Sequence, residues 1–266
     1  LLNKAAGKPI LGVVGEEFFQ RHVIEVNFEM GTVTIYDRRT FAPPLDATLV
    51  PLNSAKSAKV QMPGTLEGAP GVKITLDIGS SNTAMIDTGP VTNRWDAEGR
   101  PWTPDGSGVV EHGEFKKSEN RLMTAKSIGF AGYTLSDVPV TTMPKDFVAP
   151  ADVSLGVNLL DRFDVIFDVG GKRLWLKPRA NYDAPFRHRL VGLGWKPPAD
   201  ADGLEVIDVA RNSPAEAAGL KKGDVIVGFN SKPATPEAFA ALKAGDAVEL
   251  KLRDGSVRTF VAARFY

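Results

Sequence analysis

The chain contains no cysteine in its 266 residues. Disulfides, thiolate nucleophiles and cysteine-bound metals are therefore excluded. Histidine is scarce. His22, His112 and His188 stand far apart with no His-x-x-x-His pair, so a histidine-built metal centre has no support. Neither sign of charge is in excess, with 32 basic residues against 32 acidic ones. A general nucleic-acid or membrane-surface binder needs a basic surplus to meet phosphates. No apolar run reaches the length of a membrane span. There is no Gly-x-Ser-x-Gly elbow and no glycine loop ending in Lys-Ser/Thr. Neither a metal nor a cofactor is expected. The opening Leu1-Leu2-Asn3-Lys4 has neither a Met nor a signal-peptide pattern, so localisation is not legible there.

What is present is an ordinary globular composition, 43% hydrophobic and 24% charged, at a length that suits two domains. The strongest signal is an internal repeat. The stretch from Gly12 to Phe28 aligns without a gap on Val153 to Val169, at an offset of 141. Gly15 meets Gly156, Arg21 meets Arg162, and Asn27 meets Asp168. Thr32-Val-Thr-Ile35 continues the match against Arg173-Leu-Trp-Leu176. Each copy reads as two apolar residues and a glycine, a short helical turn, and a hairpin. Glu29-Met30-Gly31 and Gly170-Gly171-Lys172 are the expected hairpin turns.

The second copy closes a segment of short strands, expected at 47–52, 58–62, 72–77, 83–86, 109–115, 121–130 and 133–140. The first copy has only 11 residues ahead of Gly12. A hairpin cannot bury its apolar face alone. The first copy's remaining strands are expected in cis, in a companion fragment, or in a dimer.

Two loops could present a carboxylate. Val72-Lys-Ile-Thr-Leu runs into Asp77-Ile78-Gly79-Ser80, and Ala84-Met-Ile runs into Asp87-Thr88-Gly89-Pro90. Glycine lets such a loop turn tightly and aim its aspartate. Asp77 has an apolar strand on both sides. Asp87 has the more regular Asp-Thr-Gly, followed by Pro90-Val-Thr-Asn-Arg-Trp95, which makes a poor strand. An aspartate in a turn can also be structural.

These loops, the glycines at Val13-Val14-Gly15 and Ser154-Leu155-Gly156, and the hairpin Ser127 to Val140 resemble the bacterial retropepsin-like aspartyl proteases that carry two lobes and a C-terminal PDZ domain. The resemblance covers essentially the whole chain. It implies an aspartic-type peptidase with one aspartate from each lobe, close enough to share a proton. Asp77, with Gly79, would be this chain's contribution, with Asp87 the alternative. The partner aspartate would lie about 64 residues before Leu1, at the repeat offset. Ile78 departs from the pattern, because the family usually has a hydroxyl residue there to reach the other lobe. Residues 102–113 would be the substrate-covering flap, with Gly106 and Gly108 as flexible points and His112 near the substrate. A plain surface loop is the alternative.

After a polar linker comes Arg189-Leu-Val-Gly192-Leu193-Gly194-Trp195. A strand follows at 205–210, then Ser213-Pro214-Ala-Glu-Ala-Ala-Gly219-Leu, a helix with an N-cap, Pro at its start and Gly at its end. Lys222-Gly-Asp-Val-Ile-Val is turn then strand, and a second helix is expected over 236–244. This order resembles a bacterial PDZ domain. It implies capture of a peptide C-terminus by strand addition along Gly192, Leu193, Gly194 and Trp195, with Phe239 lining the groove. Phe239 and Leu242 can equally be core residues.

The expected fold is mostly β. Residues 1–40 are the C-terminal part of a first aspartic-peptidase-like lobe, 41–178 a complete second lobe, and 187–266 an α+β PDZ-like domain. The expected partners are a polypeptide substrate and peptide C-termini, with no nucleic acid and no membrane span in this chain. The resemblance alone implies a periplasmic or otherwise extracytoplasmic location. Two functional classes follow: an aspartic endopeptidase, or an inactive peptidase-like protein that binds peptides.

Overall fold

The computed structural model describes residues 14–52, 60–86, 89–104, 108–111, 114–117, 120–142, 151–196, 198 and 202–266. By internal packing the chain forms two units. One is Leu1–Gly89, His112–Glu114 and Thr124–Phe186. The other is Pro90–Glu111, Phe115–Met123 and Arg187–Tyr266.

The first unit begins with α1 (Glu16–Arg21), β1 (Val23–Asn27) and β2 (Thr32–Tyr36), the first copy of the repeat. After β3 (Thr48–Pro51) come β4 (Gln61–Leu66), β5 (Ala69–Asp77) and β6 (Ala84–Ile86). Later in the chain follow β10 (Arg121–Phe130), β11 (Tyr133–Thr142) and β12 (Val153–Gly156). The second copy of the repeat comes last, as α3 (Val157–Leu160), β13 (Phe163–Asp168) and β14 (Arg173–Pro178).

Six of these strands run in the order β11-β6-β12-β5-β4-β10, and β10 also pairs with β11, closing the sheet on itself. Closure removes the exposed edges that an open sheet would leave. The two hairpins in it turn on paired positive-φ residues, Glu67-Gly68 and Ala131-Gly132, the backbone that two-residue turns require. Alternating apolar residues fill its interior, among them Met62, Ile74, Ile86, Ile128 and Leu155, all at most 1% exposed.

The two repeat hairpins join into one sheet, ordered β2-β1-β13-β14-β3. Its register carries the repeat's symmetry. Glu25 lies opposite Ile166, its own counterpart at the offset of 141. On either side, Ile24 faces Phe167 and Val26 faces Val165, so counterparts are exchanged across that point. The sheet thus has a local two-fold axis between β1 and β13. Finer details obey it. Asn27 Oδ1 accepts from Met30 N at 2.8 Å, and Asp168 Oδ1 accepts from Gly171 N at 2.9 Å. Gly31 and Lys172 both take positive φ, +62° and +54°. Arg38 donates to the carbonyl of Gln20, and its counterpart Arg179 to that of Asp161, so each arginine holds the end of its copy's helical turn.

The second unit holds α2 (Pro90–Ala97), β7 (Thr103–Pro104), β8 (Gly108–Glu111) and β9 (Glu114–Lys117), with residues 112–113 outside the described set. The run after Asp87 is therefore a helix, led by Pro90 and burying Thr92 and Trp95 one turn apart. The strand expected over 109–115 is instead parts of two, since β8 and β9 pair as a separate two-stranded sheet. Arg100 lies over the Trp95 ring at 4.9 Å.

The rest of this unit is a sheet ordered β15-β16-β17-β19-β20, from β15 (Leu193–Lys196), β16 (Leu204–Val209), β17 (Val225–Phe229), β19 (Ala247–Leu252) and β20 (Val257–Val261). The short β18 (Lys232–Pro233) pairs with β17. Helices α4 (Pro214–Ala217) and α5 (Pro236–Ala240) complete it. Ser213 caps α4 by accepting from Glu216 N at 3.2 Å, and Thr235 caps α5 by accepting from Ala238 N at 3.3 Å. The expected helix 236–244 stops at Ala240. The Asp246 carboxylate takes the Lys243 N–H at 2.8 Å and so competes with the next helical bond.

Candidate functional site

The feature that positions Asp77 is the crossing of three strands. β12 inserts between β5 and β6, parallel to the first and antiparallel to the second. The loop from Asp77 to Thr83 must therefore pass over the end of β12. Gly156 is opposite Asp77 in the register. A Cβ there would stand 2.1 Å from Asn82 O and 2.8 Å from Ser80 O, so only glycine fits beneath the loop. The loop is bonded to this seat. Gly156 N donates to Thr83 O at 3.1 Å, and Val157 N to Ser80 O at 2.8 Å.

Within the loop, Gly79 N donates to Asp77 Oδ1 at 2.9 Å and Ser80 N to Asp77 O at 3.2 Å. These bonds fix the carboxylate at the surface, where it is exposed. Ile78, 37% exposed, brings no hydrogen-bonding group beside it. A single surface carboxylate can accept a proton but cannot also protonate a carbonyl. Peptide hydrolysis by aspartates needs a second carboxyl to share the proton.

The first copy has the matching seat, and no loop covers it among the described residues. Gly15 and Gly156 both precede their helical turns with extended backbone, φ −90° and −97°. Yet a Cβ on Gly15 would meet nothing within 4 Å. Sequence reading matched these two glycines by their offset; the close approach of Asn82 O and Ser80 O to Gly156 depends on tertiary packing and had no sequence signal.

Asp87 and Thr88 lie outside the described residues, as do Gly106 and His112. Gly108 opens β8. Among the described residues, no group of three or more His, Asp or Glu side chains is placed to hold a metal ion. No helix among them is long and apolar enough to cross a membrane.

In the second unit, Leu193, Gly194 and Trp195 lie on β15, an edge strand whose one neighbour among the described residues is β16. A register shift falls between Gly194 and Trp195. Gly192 takes φ +83° and packs so closely that a Cβ would stand 2.2 Å from Ser213 Cβ and 3.2 Å from Phe265 Cζ. Phe239 on α5 is buried, with its ring 4.7 Å from that of Trp195 and 4.8 Å from that of Phe229. The half-buried Trp195 therefore bridges the strand and the helix, while Phe239 belongs to the core. Leu242 lies beyond the end of α5 and packs against the same core. The Ser213 and Phe265 contacts with Gly192 had no sequence signal, since both depend on tertiary packing.

The PDZ domain family model matches residues 191–262. No curated protein matches the chain. Among solved structures, the chain is similar to a retropepsin-like aspartic protease from Rickettsia conorii, at 14% identity and TM-score 0.33. That likeness covers 52% of this chain and 96% of the other. It is also similar to Basic 7S globulin from soybean, at 9% identity and TM-score 0.32, over 59% of this chain and 50% of that one.

Proposed function

We propose that this chain is the greater part of an aspartic-type endopeptidase whose PDZ domain binds peptide C-termini for substrate recruitment or regulation. Residues 1–40 close a first lobe, 41–178 form the second, and 187–266 carry the PDZ domain. The observation that supports this best is the Asp77 loop, held by Gly79 N and seated on Gly156 beside a two-fold repeat. A second aspartate loop, seated on Gly15 by the same rule, would complete the dyad.

In that dyad one carboxylate is ionised and the other protonated, since two adjacent charges are costly. The ionised group takes a proton from a shared water as its oxygen adds to the scissile carbonyl carbon. The protonated group donates to the carbonyl oxygen. Collapse breaks the C–N bond; the amine nitrogen leaves with the proton that the first carboxylate took from water, and a hydroxyl of the tetrahedral intermediate returns a proton to the second carboxylate. An extracytoplasmic location belongs to the same reading.

The test is cleavage of an unfolded protein at mildly acidic to neutral pH by the assembled enzyme. Asp77→Ala and a statine-type inhibitor should each abolish it. Loss with Asp87→Ala but not with Asp77→Ala would move the role to the other loop. Ile78 favours a second reading, a peptidase-like protein that binds peptides without cleaving them. Intact assembly and peptide binding with no cleavage would establish that reading instead.

A further inference from the structure

We infer that the groove between β15 and α5 selects peptides that end in a small residue (glycine, alanine or serine) preceded by a large apolar one. This rests on the peptide-capture reading above and adds which chain ends the groove takes.

The free edge of β15 sets the frame. Its one neighbour among the described residues is β16, so the other edge can take an added strand. Side chains of an added strand alternate between the two faces of the sheet. Each lies beside its cross-strand neighbour on the same face. The residues of β15 therefore decide what fits opposite them. Leu193 and Trp195 face inward, the first a member of the buried core and the second packed against it. Gly194 lies between them and faces outward, beside Ile207 and Asp208 of β16.

The inner face is already filled. The Trp195 ring crosses from β15 to α5 and lies 4.7 Å from the Phe239 ring, tilted by 36°. Phe239 is buried and backed by the Phe229 ring at 4.8 Å, so it cannot retreat without opening the core. An inward side chain of an added strand thus meets an aromatic pair where an open groove would offer a pocket. A hydrogen, methyl or hydroxymethyl group fits over it. Leucine or phenylalanine must displace the indole and forfeit its ring contact.

The outer face has the opposite character. Position 194 carries no side chain, and Ile207, 40% exposed, leans over it. Its Cγ1 lies 3.5 Å from where a Cβ on Gly194 would stand. Neighbouring strands are only about 4.8 Å apart. An outward side chain of the added strand therefore reaches Ile207 across the bare glycine. A long apolar side chain buries that isoleucine, whereas a charged one would lose hydration there.

The end of the strand fixes the order of the two preferences. Gly192 turns the chain at φ +83° just before Leu193. A carboxylate received by the backbone N–H groups of that turn leaves the last residue level with the inward-facing part of β15. The last side chain then faces Trp195, and the penultimate one faces Ile207.

Fluorescence anisotropy of the full chain with dye-labelled octapeptides differing only in their last two residues tests this. Peptides ending Leu-Ala should bind about tenfold more tightly than those ending Leu-Leu, Leu-Phe or Asp-Ala. Trp195→Ala should remove the penalty on Leu-Leu and Leu-Phe. Ile207→Ser should bring Leu-Ala down to the level of Asp-Ala. Should Trp195→Ala fail to fold, Trp195→Leu and Ile207→Ser carry the test. Tightest binding of Leu-Leu or Leu-Phe by the wild type would overturn the inference, as would a ranking that neither substitution changes. Both outcomes leave peptide capture standing. Equal binding of an amidated Leu-Ala peptide, or no binding of any peptide by wild type and variants, would instead sink the capture of chain ends and this inference with it.

Discussion

Arg38 Nε donates to the Asp168 carboxylate at 2.6 Å, tying the first copy of the repeat to the second. Arg173 donates to the same carboxylate at 2.6 Å, and Gly171 N at 2.9 Å. The Asp168 side chain is fully buried, while the two guanidiniums are partly exposed. Asp168→Ala removes every acceptor at once and should cost about 3 kcal/mol, the low end for breaking a buried pair. Asp168→Asn keeps an acceptor for the turn, as Asn27 does in the other copy, and should cost less. Urea unfolding of the three proteins at neutral pH orders them.

The same carboxylate gives the acid limb of the stability curve a direction. Burial pushes its pKa up, but the Arg173 and Arg38 guanidiniums and the Gly171 N–H outweigh that, and the value falls below the ordinary 3.8. A carboxyl with a depressed folded-state pKa contributes stability that is complete above its unfolded value. That contribution fades as pH falls through the folded value. Asp168→Asn should therefore flatten the loss of stability below about pH 4. Unfolding midpoints from pH 6 to pH 2.5 test this; parallel curves would count against it.

Gly156 and Gly15 should respond in opposite ways. Gly156→Ala drives a methyl into Asn82 O and Ser80 O, so the Asp77 loop must lift. Overpacking of this kind costs about 1–3 kcal/mol, and under the proposed peptidase function the lifted loop should also remove cleavage. Gly15→Ala meets nothing and should leave the isolated chain as stable as before. Thermal unfolding of both variants, with a cleavage assay of the assembled enzyme, separates the two effects.

These contrasts show what sequence could and could not convey. The repeat made both hairpins and both helical turns legible, because local chemistry is duplicated at a fixed offset. It also pointed to Asp77, since an apolar strand running into Asp-x-Gly is a local pattern. The pairing of β10 with β4 and of β11 with β6, and the passage of β12 between β5 and β6, were not legible, because these partners lie far apart in the chain. The helix over 90–97 was missed for another reason. Pro90 reads as a strand breaker, and the burial of Trp95 that rewards a helix is tertiary. Arg38 and Arg179 stand at the offset of 141 too, but the match fades just before them.

If the second unit captures peptide C-termini along β15 as proposed, Gly192→Ala should abolish that binding. The residue needs φ +83°, which costs an alanine about 1–2 kcal/mol, and the methyl overlaps Ser213. Adding Ser213→Gly removes the overlap but not the backbone strain, so it should restore part of the loss. Titration with a peptide bearing a free C-terminus, followed by Trp195 fluorescence, reads both variants. Equal binding by wild type and Gly192→Ala would place the peptide elsewhere.

The broken symmetry at Asn27 invites repair. Asp168 carries a charge that meets Arg38, whereas its counterpart at the offset of 141, Asn27, is neutral. Arg179 Nε is buried with no hydrogen-bond partner among the described residues, 4.0 Å from Asp164 Oδ1 and with Glu29 3.7 Å from its Nη2. Asn27→Asp keeps the acceptor for Met30 N and places a charge where the two-fold axis puts Asp168. A partly exposed pair of this kind should add about 0.5–1 kcal/mol. The gain should disappear when Arg179→Met is introduced as well, which separates pairing from a change in the turn. Urea midpoints of the single and double variants decide it. A gain that survives the loss of Arg179 would mean that the turn alone had been improved.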